Sequence, residues 1–242
     1  MHWNLKLLQS LDSQLASQIQ NMGGEIICVF QYVPFINVWF PDDTPYDYIM
    51  TLSGVAEIEQ DVSCRASGFS YQPSANGYRT SAIINPDIDI SWVSKIVNSD
   101  IAPTQGQNAK IAICDTGLNP NHAEFANANI LVNESFVPGE TPDDFNSHGT
   151  AVASVIAAQG LQLLGVAPRA NIYNLKVLAS DGSGQFSWVA LALERAIVLG
   201  IDVVNMSFGS LAPSSLIEAS IGAFPDKGGV VVAASGNSSM AL

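Results

Sequence analysis

Four short apolar-rich runs, at residues 111–114, 172–178, 201–206 and 230–234, set the terms on which this chain can fold. A strand with one wet face alternates apolar and polar residues, whereas a strand rich in apolar residues throughout needs cover on both faces. Helical candidates fill the intervals at 150–158, 187–199 and 215–224. Strand, helix and strand repeated at this spacing predict an α/β fold with a doubly wound parallel sheet. In such sheets chemistry gathers at the carboxyl ends of the strands.

The first quarter of the chain is patterned differently. Leu11, Leu15 and Ile19 recur every four residues and are closed by Gly23-Gly24, the signature of a short amphipathic helix with a C-cap. Residues 25–30 and 35–40 are β-prone, 44–52 look helical after Pro41-Asp42-Asp43, and 55–59 alternate like a strand. Residues 1–61 therefore predict a small α+β domain of order α-β-β-α-β, without a clear strand before its first helix. Residues 62–90 collect Ser, Gly, Asn and Pro and predict an exposed linker suited to proteolytic processing. Residues 91–242 hold the larger α/β domain.

Nine Lys and Arg face 22 Asp and Glu, a formal charge of −13, which argues against a phosphate-binding surface and so against nucleic acid as a partner. No stretch reaches the length of a membrane span, and Met1 to Lys6 do not open a signal peptide. Cys28, Cys64 and Cys114 are an odd count at no ligand spacing, so no disulfide framework is inferred. His2, His122 and His148 have no zinc spacing, and no metal site is read from these residues.

Asp115 ends the run Ile111-Ala112-Ile113-Cys114, which delivers a carboxylate to a strand's carboxyl end with Gly117 behind it. His148 opens a predicted helix, where the positive dipole end favours a neutral, proton-accepting imidazole. An aspartate on one ring nitrogen would fix the tautomer. Asn237 follows another strand and offers an amide that could donate to a developing oxyanion. Gly182-Ser183-Gly184 could also open a dinucleotide loop, but Ser187 replaces the third glycine and Asp202 begins a strand where that motif needs an acid at a strand's end.

Asp115-Thr116-Gly117, His148-Gly149-Thr150, the stretch 181–188, Asn205-Met206-Ser207-Phe208-Gly209 and Ala234-Ser235-Gly236-Asn237, in this order over about residues 90–242, resemble the subtilisin family of serine proteases. The resemblance implies a serine-type endopeptidase in which Asp115 orients, His148 is general base and acid, and Asn237 is the oxyanion donor. Gly182, Ser183 and Gly184 on one side and Ser207, Phe208 and Gly209 on the other would hold an extended protein or peptide substrate. It further implies an extracellular enzyme, with residues 1–61 as a propeptide-like intramolecular inhibitor.

In the family the nucleophile lies in a Gly-Thr-Ser-Met-Ala segment well after the oxyanion asparagine. Here Ser238-Ser239-Met240-Ala241 matches three letters of it but Ser239 comes two residues after Asn237. The expectation is a chain that stops before its serine and is inactive alone, with the sheet incomplete at its C-terminal end. Calcium accompanies the family, and Glu124 stands where a carboxylate ligand is common, yet residues 159–163 carry no carboxylate for a six- to eight-oxygen site. The alternative is a non-catalytic remnant whose N-terminal domain binds or inhibits a related protease.

Overall fold

A computed structural model describes residues 1–67, 92–159 and 163–236. The N-terminal part contains strand β1 (His2–Leu7), helix α1 (Ser13–Asn21), β2 (Glu25–Val29), β3 (Phe35–Trp39), α2 (Tyr46–Ile49) and β4 (Val55–Gln60). Its four strands form a sheet in the order β2-β3-β1-β4, with every neighbouring pair antiparallel. Asp12 caps α1 by accepting the Leu15 amide at 2.8 Å, and Gly23, at φ 75°, ends it. Leu15 and Ile19 of α1 and Ile49 of α2 bury against Leu5, Leu7, Ile36 and Val38 on one sheet face.

The strand β1 corrects the expectation that the first helix has none before it. Both faces of this sheet are covered, so the apolar alternation that marks a half-wet strand is broken by Asn4, which is wholly buried on the second face. There Asn37 Nδ2 donates to Asn4 Oδ1 at 2.8 Å.

The larger part contains α3 (Trp92–Ile96), β6 (Lys110–Asp115), β7 (Asn129–Ser135), α4 (His148–Ala157), β8 (Asn171–Lys176), β9 (Ser183–Gln185), α5 (Phe186–Leu199), β10 (Val203–Met206), β11 (Phe208–Gly209), α6 (Ser215–Ala223) and β12 (Val230–Ala233), preceded by β5 (Ser63–Ala66). Five strands form a parallel sheet in the order β12-β10-β6-β8-β7. On one face α4 packs Ala153 and Ala157 against Ile113 and Ile172. On the other, α5 and α6 cover Ala112, Cys114, Leu175 and Val204. Helices on both faces make the sheet doubly wound.

Partners on its ammonium group are what keep the lysine of β8 inside an apolar sheet. Lys176, fully buried, donates from Nζ to the carbonyls of Thr116 and Asp143 and pairs with Glu140 at 3.3 Å. The second face of the N-terminal sheet docks on the α5–α6 side: Phe30, Val33 and Phe35 bury against Ala190 of α5 and Leu216 of α6.

Residues 63–66, expected within an exposed linker, are instead the central strand of a third sheet, β11-β5-β9, and Cys64 there is 1% exposed. Strand pairing on both sides overrides a locally loop-like composition. Residues 68–90 of that expected linker lie outside the described residues. All three cysteines are free thiols, and burial raises those of Cys64 and Cys114 to about 12.

Candidate active site

Asp115 is the last residue of β6 and is fully buried. His148 is the first residue of α4, so the sheet's carboxyl edge and a helix start deliver the two side chains to one point. His148 Nδ1 lies 2.6 Å from Asp115 Oδ1, and the Thr116 amide donates to the same oxygen at 2.7 Å. This approach requires Gly149, because a Cβ there would collide with the Gly117 carbonyl and meet Asp115 Cβ at 3.2 Å.

The second ring nitrogen of His148, Nε2, lies 2.9 Å from the carbonyl oxygen of Ser67. A carbonyl only accepts and an ionised carboxylate only accepts, so with both contacts made both nitrogens carry hydrogen and the ring is an imidazolium. The hydrogen bond to Asp115 is the main cause that lifts His148 to about 8, against desolvation; the Ser67 carbonyl and the Asp144 charge act in the same upward direction. The expectation that the helix dipole keeps this imidazole neutral is thereby corrected: a carboxylate at 2.6 Å outweighs the partial charge of a helix end. Burial pushes the Asp115 carboxyl up, opposed by the His148 contact and the Thr116 amide.

Strand β5 leads to this pair between two edges. On the β9 side Cys64 faces Gly184, Arg65 faces Ser183, and the Ala66 amide donates to the Gly182 carbonyl at 3.0 Å. On the β11 side Ala66 faces Phe208, Arg65 faces Gly209, and the Ser67 amide donates to the Ser207 carbonyl at 2.9 Å. A Cβ on Gly184 would meet the Val177 carbonyl at 2.6 Å and Cys64 Sγ at 3.2 Å, so the absence of a side chain is what lets the strand lie close. The structure thus brings Asp115, His148 and both three-residue segments around one extended peptide. Asn237 and Ser239 lie outside the described residues.

Residues missed from the sequence complete the arrangement. Asp61 accepts the Ser187 amide at 3.1 Å and the Ser187 hydroxyl at 2.6 Å at the start of α5. Glu59 accepts the Ser214 hydroxyl at 2.7 Å and the Ser215 amide at 2.7 Å at the start of α6. The N-terminal unit therefore caps two helices of the larger part; acids at helix starts are a recognisable signal only when they belong to the helix's own sequence. Glu124 is 7% exposed and its Oε2 accepts the Leu163 amide at 3.4 Å. Among the described residues no group of three or more His, Cys, Asp or Glu gathers to hold a metal ion.

Among the described residues no helix is long and apolar enough to cross a membrane. The sequence pattern of the Subtilase family matches residues 106–241. Subtilisin E of Bacillus subtilis is 43% identical over 136 residues, which are 54% of this chain and 35% of that protein. Alkaline elastase YaB of Bacillus sp. strain YaB is 33% identical over 231 residues, 93% of this chain and 54% of its own length. These relatives are longer: the chain spans between about a third and about half of them. Fervidolysin of Fervidobacterium pennivorans, a keratinolytic enzyme related to subtilisin, superposes with a TM-score of 0.76 at 19% identity over 98% of this chain and 40% of its own, and shares the fold.

Proposed function

The chain belongs to the subtilase family, and from that premise we propose that its α/β domain is the catalytic domain of a serine-type endopeptidase acting on protein or peptide substrates outside the cell. The observation that carries this reading is the Asp115–His148 contact of 2.6 Å at the end of a cleft where β5 lies hydrogen-bonded along both edges. A substrate would add as a strand between Gly182-Ser183-Gly184 and Ser207-Phe208-Gly209, its backbone supplying affinity and its side chains selectivity. With the cleft free, neutral His148 takes the proton of a serine hydroxyl through Nε2 while the serine oxygen attacks the peptide carbonyl. Asp115 stabilises the imidazolium so formed, and the Asn237 amide donates to the oxyanion. His148 then gives its proton to the departing amine, and water hydrolyses the acyl-enzyme.

The N-terminal unit together with strand β5 that follows it is read as an intramolecular inhibitor, supported by Ser67, just after β5, placing its carbonyl on the nitrogen that must accept the serine's proton. Ser239 follows Asn237 by only two residues, closer than the family resemblance implies for donor and nucleophile. These 242 residues alone are therefore expected to take no label from a fluorophosphonate, a reagent for activated serines, when read by peptide mass spectrometry at pH 7 and pH 9. Label on Ser239 that disappears in His148→Ala would overturn that expectation and identify a complete triad. Label that survives His148→Ala would remove His148 from the role of base.

A further inference from the structure

One carboxylate ties the segment carrying Asp115 to the segment carrying His148. Asp144 Oδ1 accepts from the Thr116 hydroxyl at 2.8 Å, the Asn146 amide at 3.0 Å and the Ser147 amide at 2.8 Å. Its Oδ2 accepts from the Thr150 amide at 2.8 Å and the Thr150 hydroxyl at 2.6 Å. The network continues through those hydroxyls: Thr116 Oγ1 accepts the Gly149 amide at 2.9 Å, and Thr150 Oγ1 accepts the Asn119 amide at 3.0 Å. Charge-assisted bonds of this kind are among the stronger ones available to a backbone amide.

The placement of these donors is what gives Asp144 its role. Thr116 is the residue directly after Asp115 and donates its amide to Asp115 Oδ1. Ser147 is directly before His148, stands at φ 81° in the left-handed region, and makes no side-chain cap to α4. A serine adopts that conformation only when its surroundings hold it there. The bond from its amide to Asp144 is such a restraint, and it fixes the angle at which His148 leaves the helix start.

We propose that Asp144 is a positioning residue for the Asp115–His148 pair: it locks the turn behind Asp115 to the first turn of α4 and presents a second negative charge to His148. The Coulomb effect of Asp144 raises both His148 and Asp115, in accord with that closeness. The groups acting on the ring are then Asp115 on Nδ1, the Ser67 carbonyl on Nε2, and Asp144 through its charge.

The proposal rests on reading Asp115 and His148 as a working pair, and the test separates the two. Nitrogen-15 histidine labelling of the whole chain, which has only three histidines, lets the Nδ1 proton of His148 and the ring's titration be followed by NMR in wild type, Asp144→Asn and Asp144→Ala. In Asp144→Ala the hydrogen-bonded Nδ1 proton is lost to exchange and the titration midpoint falls. In Asp144→Asn, which keeps one carbonyl oxygen for Thr116 and Ser147, the proton persists while the midpoint still falls. An Asp144→Ala protein with the wild-type proton signal and midpoint overturns the proposal. Should Asp144→Ala fail to fold, Asp144→Asn decides: a lowered midpoint supports the proposal and an unchanged one overturns it. A wild-type protein lacking the Nδ1 proton signal would sink the underlying pair instead.

Discussion

The Ser67 carbonyl oxygen and His148 Nε2 stand 2.9 Å apart, on the side of the imidazole opposite the Asp115 contact. The docked strand thereby binds one protonation state of the ring, the one that cannot act as a base. Docking and protonation are linked in both directions.

The sign of that linkage follows from the shift. His148 is raised from 6.5 to about 8, so the stability it contributes is fully present below about pH 6.5 and is lost as pH rises through about 8. Most of the rise belongs to Asp115, which leaves the strand a smaller share. Residues 63–67 are expected to loosen a few-fold between pH 6.5 and pH 9. Hydrogen exchange at the Ala66 and Ser67 amides, corrected for intrinsic rates, reads this directly; identical protection factors at both pH values would show that the ring does not sense the strand.

Glu59 and Asp61 predict how the N-terminal unit is held. Each satisfies an amide at the start of a helix that belongs to the other part of the molecule, and losing such a cap costs ~1 kcal/mol. Asp61 also accepts from buried Asn4 at 3.3 Å and Asn37 at 3.4 Å, and Glu59 also accepts from Asn4 at 3.4 Å and the Leu216 amide at 3.2 Å, so Asp61→Ala and Glu59→Ala are each expected to cost ~1–3 kcal/mol. Urea denaturation of the full chain measures both. No effect of either substitution would mean that apolar packing of Phe30, Val33 and Phe35 alone holds the interface.

Gly184→Ala tests whether the cleft's close fit depends on a missing side chain. The new methyl group would press on Cys64 Sγ from one side and on the Val177 carbonyl from the other, and the strand is the part free to move. Cys64 is 1% exposed with its thiol raised to about 12 by burial, which keeps it unreactive. Displacing β5 is expected to speed alkylation of Cys64 by about an order of magnitude or more, read by peptide mass spectrometry with Cys28 and Cys114 as internal references. No change in rate would place the strand's hold elsewhere.

What could be read from the sequence divides along physical lines. The runs ending at Asp115 and Met206 are strands because burial leaves a continuous apolar record, whereas the run ending at Ala233 is an edge strand that keeps Val230 and Val232 exposed, so its expected cover on both faces is corrected. Burial of a polar pair hid β1, whose inner residue is Asn4 bonded to Asn37, and exposure hid β7, an edge strand with Leu131 at the surface. Asp115 and His148 were recognisable from short motifs set at a strand end and a helix start. Ser67, Asp61 and Glu59 were not, because their partners lie at least 81 residues away and no local pattern encodes a contact at that range.

Asp115→Asn separates charge from shape at the centre of the site. Asparagine keeps an oxygen where Asp115 Oδ1 accepts from Thr116 and His148, but removes the charge that outweighs desolvation of the ring. With that charge gone the burial effect on His148 acts in the opposite direction, and its midpoint is expected to fall from about 8 to below the ordinary histidine value of 6.5. At pH 7 the ring would then be neutral, its one hydrogen retained on Nδ1 by the asparagine oxygen, and Nε2 would turn a lone pair toward the Ser67 carbonyl. Two acceptors facing each other repel, so β5 is expected to loosen at neutral pH in the variant as it does at pH 9 in the wild type. Histidine NMR titration and Ser67 amide exchange on the same samples check the two halves together. A lowered midpoint with undisturbed exchange would break the link between the ring's charge and the docked strand, leaving the edge pairings with Gly182 and Ser207 as what holds it.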